Sequence, residues 1–93
     1  MVDKLSSAQV EDKLASLKGW SLENGKLTRD FKFPDFVRAF GFMTSAAIEA
    51  EKLNHHPEWS NVYNKVTVHL VTHEANGITE LDFKLAKKMD ALA

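Results

Sequence analysis

Three of the four histidines lie in or near one short run of the chain. His55 and His56 are adjacent within the segment 51–63, and His73 follows ten residues after that segment. Histidine can both donate and accept a proton near neutral pH because its unperturbed pKa is about 6.5. Imidazoles grouped near an aromatic side chain, here Trp59, therefore indicate proton-transfer chemistry. This run is the candidate functional site.

Length and composition predict one small domain. The chain has 93 residues, of which 44% are hydrophobic, so it can bury one modest core, and we expect a single domain over residues 1–93. The sequence has no Cys, which excludes disulfides and thiolate metal sites. Small domains often gain stability from partners, so self-association is expected.

Charge and hydropathy argue against two classes of partner. Lys and Arg number 12 against 13 Asp and Glu, and no basic run is long enough to follow a phosphate backbone. Direct binding of nucleic acid is not expected. No apolar run approaches the ~20 residues that span a bilayer. We therefore expect a soluble protein that makes no membrane contact and is cytoplasmic, or also nuclear if its source is an animal.

The first half of the chain predicts a helix and a hairpin. Ser6 and Gln9 form a capping box, and apolar residues then recur at helical spacing, so a helix is predicted over about residues 7–18. The dipeptide Asn24-Gly25 is favoured in two-residue hairpin turns, and apolar residues alternate on both sides of it. Arg29 interrupts that alternation.

The second half repeats this order. A helix is predicted from Asp35 to about Leu53, and Pro57 prevents its continuation. A short strand with Trp59 and a longer one ending near His73 form a second hairpin. A capping box at Thr79 and Asp82 begins the last helix. The apolar stripe predicted to face the core from the second helix comprises Phe36, Phe40, Met43, Ala47 and Ala50.

The element order is αββαββα. Two hairpins joined through a helix fit an α+β fold, in which three helices cover one face of a four-stranded antiparallel sheet.

Several motifs, in order and at their spacing, resemble the pterin-4a-carbinolamine dehydratases over almost the whole chain. They are Gly19-Trp20, Phe31-Lys-Phe33-Pro-Asp35-Phe36, Phe40-Gly-Phe42-Met43, Ala50-Glu51-Lys52, His55-His56-Pro57-Glu58-Trp59, Tyr63, Thr72-His73-Glu74 and Gly77-x-Thr79-x-x-Asp82. A His-His-Pro triplet alone would carry little weight, whereas the full set is specific.

The resemblance implies a hydro-lyase that dehydrates 4a-hydroxytetrahydropterin to quinonoid dihydropterin in the recycling of the pterin cofactor of aromatic amino-acid hydroxylases. The family's reaction uses no metal or organic cofactor, and its members form dimers and tetramers. The three histidines of the motif carry the function there. The resemblance therefore implies that His55 and His73 are alternative acids on the two sides of the pterin ring. It also implies that His56 has a catalytic and substrate-orienting role.

The resemblance also assigns a carboxylate and an aromatic residue to substrate binding. Glu51 matches a family carboxylate, and on a helix it lies one turn before His55, close enough to influence that imidazole. Trp59 matches the aromatic residue beside the site and could cover the apolar surface of the pterin. Leu81 departs from the pattern, since animal members typically carry Arg there, so any contact of that guanidinium is absent.

Two alternative functions belong to other classes. Animal members of the family also serve as dimerisation cofactors of a homeodomain transcription factor, which would make the chain a protein-binding module. A hydrolytic zinc held by His55, His56 and His73 would have the right number of ligands, but neighbouring histidines converge poorly on one ion. Tyr63 is expected to be structural, and His69 has no counterpart in the motif.

Overall fold

The structure is a computed structural model that describes residues 2–93. The elements are α1 (Ser7–Leu14), β1 (Ser21–Glu23), β2 (Lys26–Lys32), α2 (Phe36–Leu53), β3 (Glu58–Val62), β4 (Lys65–Leu70), a 3-10 turn (His73–Ala75) and α3 (Glu80–Leu92). The four strands form one antiparallel sheet in the order β1-β2-β4-β3. The predicted αββαββα fold is confirmed.

The predicted helix caps are confirmed. Ser6 and Gln9 exchange capping bonds at the start of α1, and Thr79 and Asp82 do so at the start of α3. The predicted end of α1 at residue 18 is wrong, because the helix ends at Leu14 and the chain then continues in turns.

The face of α2 that packs on the sheet differs from the predicted stripe. Phe36 and Phe40 are 49% and 55% exposed, and Met43 is only partly buried. The buried residues of α2 are Ala39, Phe42, Ala46 and Ala50. Because this helix carries apolar residues on two faces, periodicity alone could not identify the one that meets the core.

The sheet packs its inner face against the helices. Val66, Val68 and Leu70 of β4 are almost fully buried, whereas Thr67 and His69 point to the opposite, open face. In the register, Glu58 of β3 and Thr28 of β2 both lie opposite His69 and share this open face. The Thr28 Oγ1 and His69 Nδ1 atoms are 2.9 Å apart.

Hydrogen bonds join the C-terminal end of α3 to the first hairpin and to Trp20, the residue before it. The Asp90 carboxylate accepts hydrogen bonds from Trp20 Nε1 at 2.9 Å and from Arg29 Nη1 at 2.7 Å. The Arg29 guanidinium also lies 4.5 Å from the ring centroid of Phe31. Arg29, which breaks the apolar alternation of β2, is thus accommodated by a carboxylate and an aromatic ring.

Tyr63 lies outside the core. It occupies the turn after β3 with φ of 52° and is 61% exposed. Tyr63, expected to be structural, is therefore a turn residue and not a core residue. Among residues 2–93, no helix is long and apolar enough to cross a membrane.

Candidate functional site

Three segments meet at one end of the sheet. The first is the end of α2, where Asn54 adopts a left-handed conformation that ends the helix and leads into His55 and His56. The second follows β4 and carries Thr72 and His73. The third is the start of α3, and side-chain hydrogen bonds join all three segments.

His55 is the buried histidine of the site. Only 8% of its surface is exposed, and its Nε2 atom lies 2.5 Å from Oδ1 of Asp82, which is fully buried. Asp82 occupies the first turn of α3, where the helix dipole favours a negative charge. Nε2 is therefore occupied by the carboxylate, and Nδ1 is left as the ring nitrogen that can exchange protons with a ligand.

Asp82 is held by a chain of hydrogen bonds with one consistent direction. Its Oδ2 atom accepts from the Thr79 backbone amide and from Thr72 Oγ1, each at 2.9 Å. Because the Thr72 hydroxyl proton is used in that bond, the Thr79 hydroxyl must donate to Thr72 across their 2.8 Å separation. Thr79 Oγ1 in turn accepts from the Leu81 amide. The buried carboxylate is thereby fully satisfied and fixed in orientation.

His56 is exposed and has a different partner. Its Nε2 atom lies 2.7 Å from Oε1 of Glu51, and the two side chains are 59% and 79% exposed. The predicted association of Glu51 with His55 is wrong: the carboxylate beside His55 is Asp82. Since water screens an exposed pair, Glu51 holds His56 only weakly.

His73 lies on the open face of the sheet and is bound to Glu58. Its Nε2 atom is 2.7 Å from Glu58 Oε2, and Lys26 Nζ donates to Glu58 Oε1 at 2.6 Å. The hydrogen bond from Lys26, followed by that from His73, lowers the pKa of Glu58 below its usual value. The 3-10 turn that follows β4 takes the His73 ring to the side of Glu58.

Two cavities lie among the segments that carry these histidines, and Trp59 belongs to the inner face of the sheet. Trp59 is half-buried opposite Val68 and packs against the core. One cavity of about 350 Å³ lies beside Thr72 and Leu81, and another of about 270 Å³ lies between His73 and Lys26. The first is within the usual size range of small-molecule sites and the second slightly below it. Leu81 gives the first cavity an apolar wall.

The geometry gives no support to the zinc hypothesis. Within residues 2–93, no three His, Asp or Glu side chains are grouped so that they could hold a metal ion. Each of the three histidines instead has its own carboxylate partner.

The histidines could be predicted from the sequence, whereas two of their carboxylate partners could not. Asp82 was predicted as a helix cap and as part of the resemblance, and Glu58 only as part of the resemblance. Both are acidic residues of the matched motifs, which was the available signal. Their pairing with particular histidines depends on tertiary contacts.

The fold and the site define a class of small α+β protein with three histidine–carboxylate pairs at one end of a four-stranded sheet. A family model described as pterin 4 alpha carbinolamine dehydratase matches residues 3–92, and the chain belongs to this family.

The similarity to named relatives extends over nearly the whole length of both chains. A protein of Solibacter usitatus, whose name assigns it provisionally to pterin-4-alpha-carbinolamine dehydratase, is 56% identical over 100% of this chain and 98% of its own. A similarly named protein of Rhizobium leguminosarum is 56% identical over 99% of this chain and 93% of its own. The crystal structure of a transcriptional coactivator/pterin dehydratase from Brucella melitensis superposes with a TM-score of 0.94 at 53% identity, covering 98% of this chain and 99% of that one.

Proposed function

We propose that this protein dehydrates 4a-hydroxytetrahydrobiopterin to quinonoid dihydrobiopterin and water by histidine general acid–base catalysis. Membership of the dehydratase family supports the reaction. The observation that carries the mechanism is the buried pair of His55 and Asp82, which Thr72 connects to the segment that bears His73. The site therefore has one buried imidazole, that of His55, and one exposed imidazole, that of His73, which directly follows Thr72 in the chain.

The reaction needs one acid and one base. The N5 lone pair forms a double bond to C4a as the C4a–oxygen bond breaks, and the hydroxyl leaves as water once an acid protonates it. The N5 proton passes to a base, so no electrons are gained or lost overall. An imidazolium and a neutral imidazole perform these two tasks near neutral pH.

The residues take distinct parts in this proposal. His55 and His73 are the acids that serve the two stereoisomers of the 4a-hydroxyl, and Asp82 holds His55 with Nδ1 available. His56 acts in catalysis and also orients the pterin, with Glu51 beside it, and Trp59 covers apolar ring surface. His56 and Glu51 are exposed enough to contact a ligand directly.

A coupled assay tests the proposal. Purified protein should accelerate loss of 4a-hydroxytetrahydropterin, and treatment with a chelator should not change the rate. Activity that disappears on chelation and returns with zinc would favour the metal mechanism. No acceleration by the untreated protein would contradict the dehydratase proposal.

We further propose that the protein works in the cytoplasm, in pterin recycling for aromatic amino-acid hydroxylases, as a homodimer or homotetramer. Assembly is supported by the solvent-facing side of α2. The exposed apolar residues on this face are Phe36, Val37, Phe40 and Ile48. In a single copy of the protein, the sheet covers one apolar face of α2 and the other faces water. A second copy of the same helix would cover this second face.

A second candidate function is that of a coactivator that binds a transcription factor. It is favoured by one observation, the description of the Brucella melitensis protein as a transcriptional coactivator/pterin dehydratase. Partner binding without any dehydration of the carbinolamine would favour this function over the enzymatic one.

A further inference from the structure

Glu58 occupies a junction between two cationic or potentially cationic side chains. Each of its two carboxylate oxygens has a partner: Oε1 accepts from Lys26 at 2.6 Å, and Oε2 lies 2.7 Å from His73 Nε2. The three residues come from β2, β3 and the turn after β4, so the contact crosses the sheet. Both distances are typical of charge-assisted hydrogen bonds.

The direction of the His73 bond follows from the state of Glu58. Lys26 and His73 lower the pKa of this carboxyl group, so it is ionised at neutral pH and can only accept. His73 must then donate from Nε2. In the neutral imidazole the free lone pair is on Nδ1, and in the imidazolium Nδ1 carries the second proton.

Packing restrains the His73 ring only weakly, so its orientation can depend on the hydrogen bond to Glu58. The His73 side chain is 74% exposed and begins a short 3-10 turn, so little packing restrains its ring. His55, by contrast, is restrained by burial as well as by Asp82. Lys26 donates to the second oxygen and so restrains the carboxylate itself, and both Lys26 and His73 line the same cavity of about 270 Å³.

We infer that Glu58, tethered by Lys26, is the positioning residue of His73, and that it fixes the tautomer and orientation in which His73 presents Nδ1 to the substrate. This inference rests on the proposed dehydratase function, because it assigns His73 one of the two acid roles. It goes beyond that function because it assigns Glu58 of β3 and Lys26 of β2 a role in the reaction of only one stereoisomer.

Two variants of Glu58 separate charge from orientation. E58M removes both the acceptor and the charge, whereas E58Q keeps an acceptor oxygen for Nε2. E23Q is the matched control: Glu23 is exposed, lies opposite Lys26 in the register and changes the net charge by the same amount. Thermal unfolding checks that all three variants fold.

The first readout does not depend on activity. The imidazole nitrogens of isotopically labelled His73 should show a protonated Nε2 and an unprotonated Nδ1 in the neutral form of the parent protein and of E23Q. In E58M the two tautomers should become mixed, and E58Q should lie between. An unchanged His73 pattern in E58M would overturn the inference, even if the parent protein proves inactive as a dehydratase.

The second readout is the rate with each 4a-hydroxyl stereoisomer. E58M should lower kcat for one isomer about 10-fold, a modest value because the pair is exposed, and leave the other isomer unchanged. E58Q should recover part of the loss, and E23Q should match the parent. An equal loss on both isomers, or no loss on either, would overturn the inference. Absence of activity in the parent protein would instead refute the proposed function.

Discussion

His55 Nε2 and Asp82 Oδ1 lie 2.5 Å apart, and both residues are buried although both are polar. A buried imidazole next to a buried carboxylate is costly unless each is satisfied by a partner. Here the remaining capacity of Asp82 is used by Thr72 and the Thr79 amide. This single contact supports both the fold, by joining α2 to α3, and the proposed catalysis, by fixing the His55 ring.

Replacing Asp82 with Asn should therefore impair stability and activity together. D82N weakens charge-assisted bonds, which should cost about 1.5–3 kcal/mol in the free energy of unfolding. The Asn amide can also donate to Nε2 and so stabilise the other tautomer of His55. Turnover should fall ~10²-fold through misplacement of the ring. Urea unfolding and the dehydration assay measure the two effects.

D90N is the control for this prediction. Asp90 is also in α3, but it binds Trp20 and Arg29 at the other end of the helix. D90N should lower stability and leave turnover per folded molecule intact. Equal activity of D82N and D90N would show that Asp82 has only a structural role.

The histidines should differ in what their removal does. His55→Ala and His73→Ala should each lower turnover mainly for one 4a-hydroxyl stereoisomer, and the double variant should lose ~10²–10⁴-fold, the usual value of acid–base assistance. His56→Ala should weaken binding as well as turnover. His69→Ala is the control, because His69 contacts Thr28 on the open face and should matter little. Near-normal activity in the double variant would refute the mechanism.

The pair of salt bridges at Glu49 should make stability depend on pH. Lys88 Nζ of α3 is 3.3 Å and Lys52 Nζ is 3.4 Å from this carboxylate, and the bond from Lys88, chiefly, lowers the pKa of Glu49 from 4.5. A lowered native pKa stabilises the fold above the unfolded pKa, and this gain is lost as pH falls through the native pKa.

E49Q should therefore be less stable than the parent near neutral pH, by a small amount because the two lysine side chains are largely exposed to water. The difference should shrink as the pH falls below 4.5 and should be lost once the pH is below the lowered native pKa of Glu49. Urea unfolding across this range measures it, and high salt should reduce it at neutral pH. A stability difference that grows on acidification would contradict the assignment.

The exposed face of α2 should control assembly. F40E places a charge in the centre of the apolar face formed by Phe36, Val37, Phe40 and Ile48, so the parent oligomer should dissociate into smaller species. S45E adds the same charge outside this face and should not change the mass. Light scattering at micromolar concentration measures both. A monomeric parent protein would refute the assembly proposal.

Much of the fold was accessible from the sequence. The capping boxes at Ser6 and Thr79 and the Asn24-Gly25 turn act over three or four residues, so their residue types alone predict where elements begin and end. The alternation of Val66, Val68 and Leu70 likewise predicts the inner face of β4. The end of α1 was misplaced because fraying of a short helix depends on what packs around it.

The sequence by itself determined that three histidines would stand beside a proline-constrained turn and at the end of a strand. Only the tertiary structure decided which carboxylate each histidine receives. The partners of His55 and His73 are 27 and 15 residues away in the chain, and they are brought close by helix packing and by strand register. Local patterns carry no information about such distances, and for this reason Glu51 was assigned to His55 although it contacts His56. The choice of the buried face of α2 had the same cause, because two apolar faces are equivalent until a sheet covers one of them.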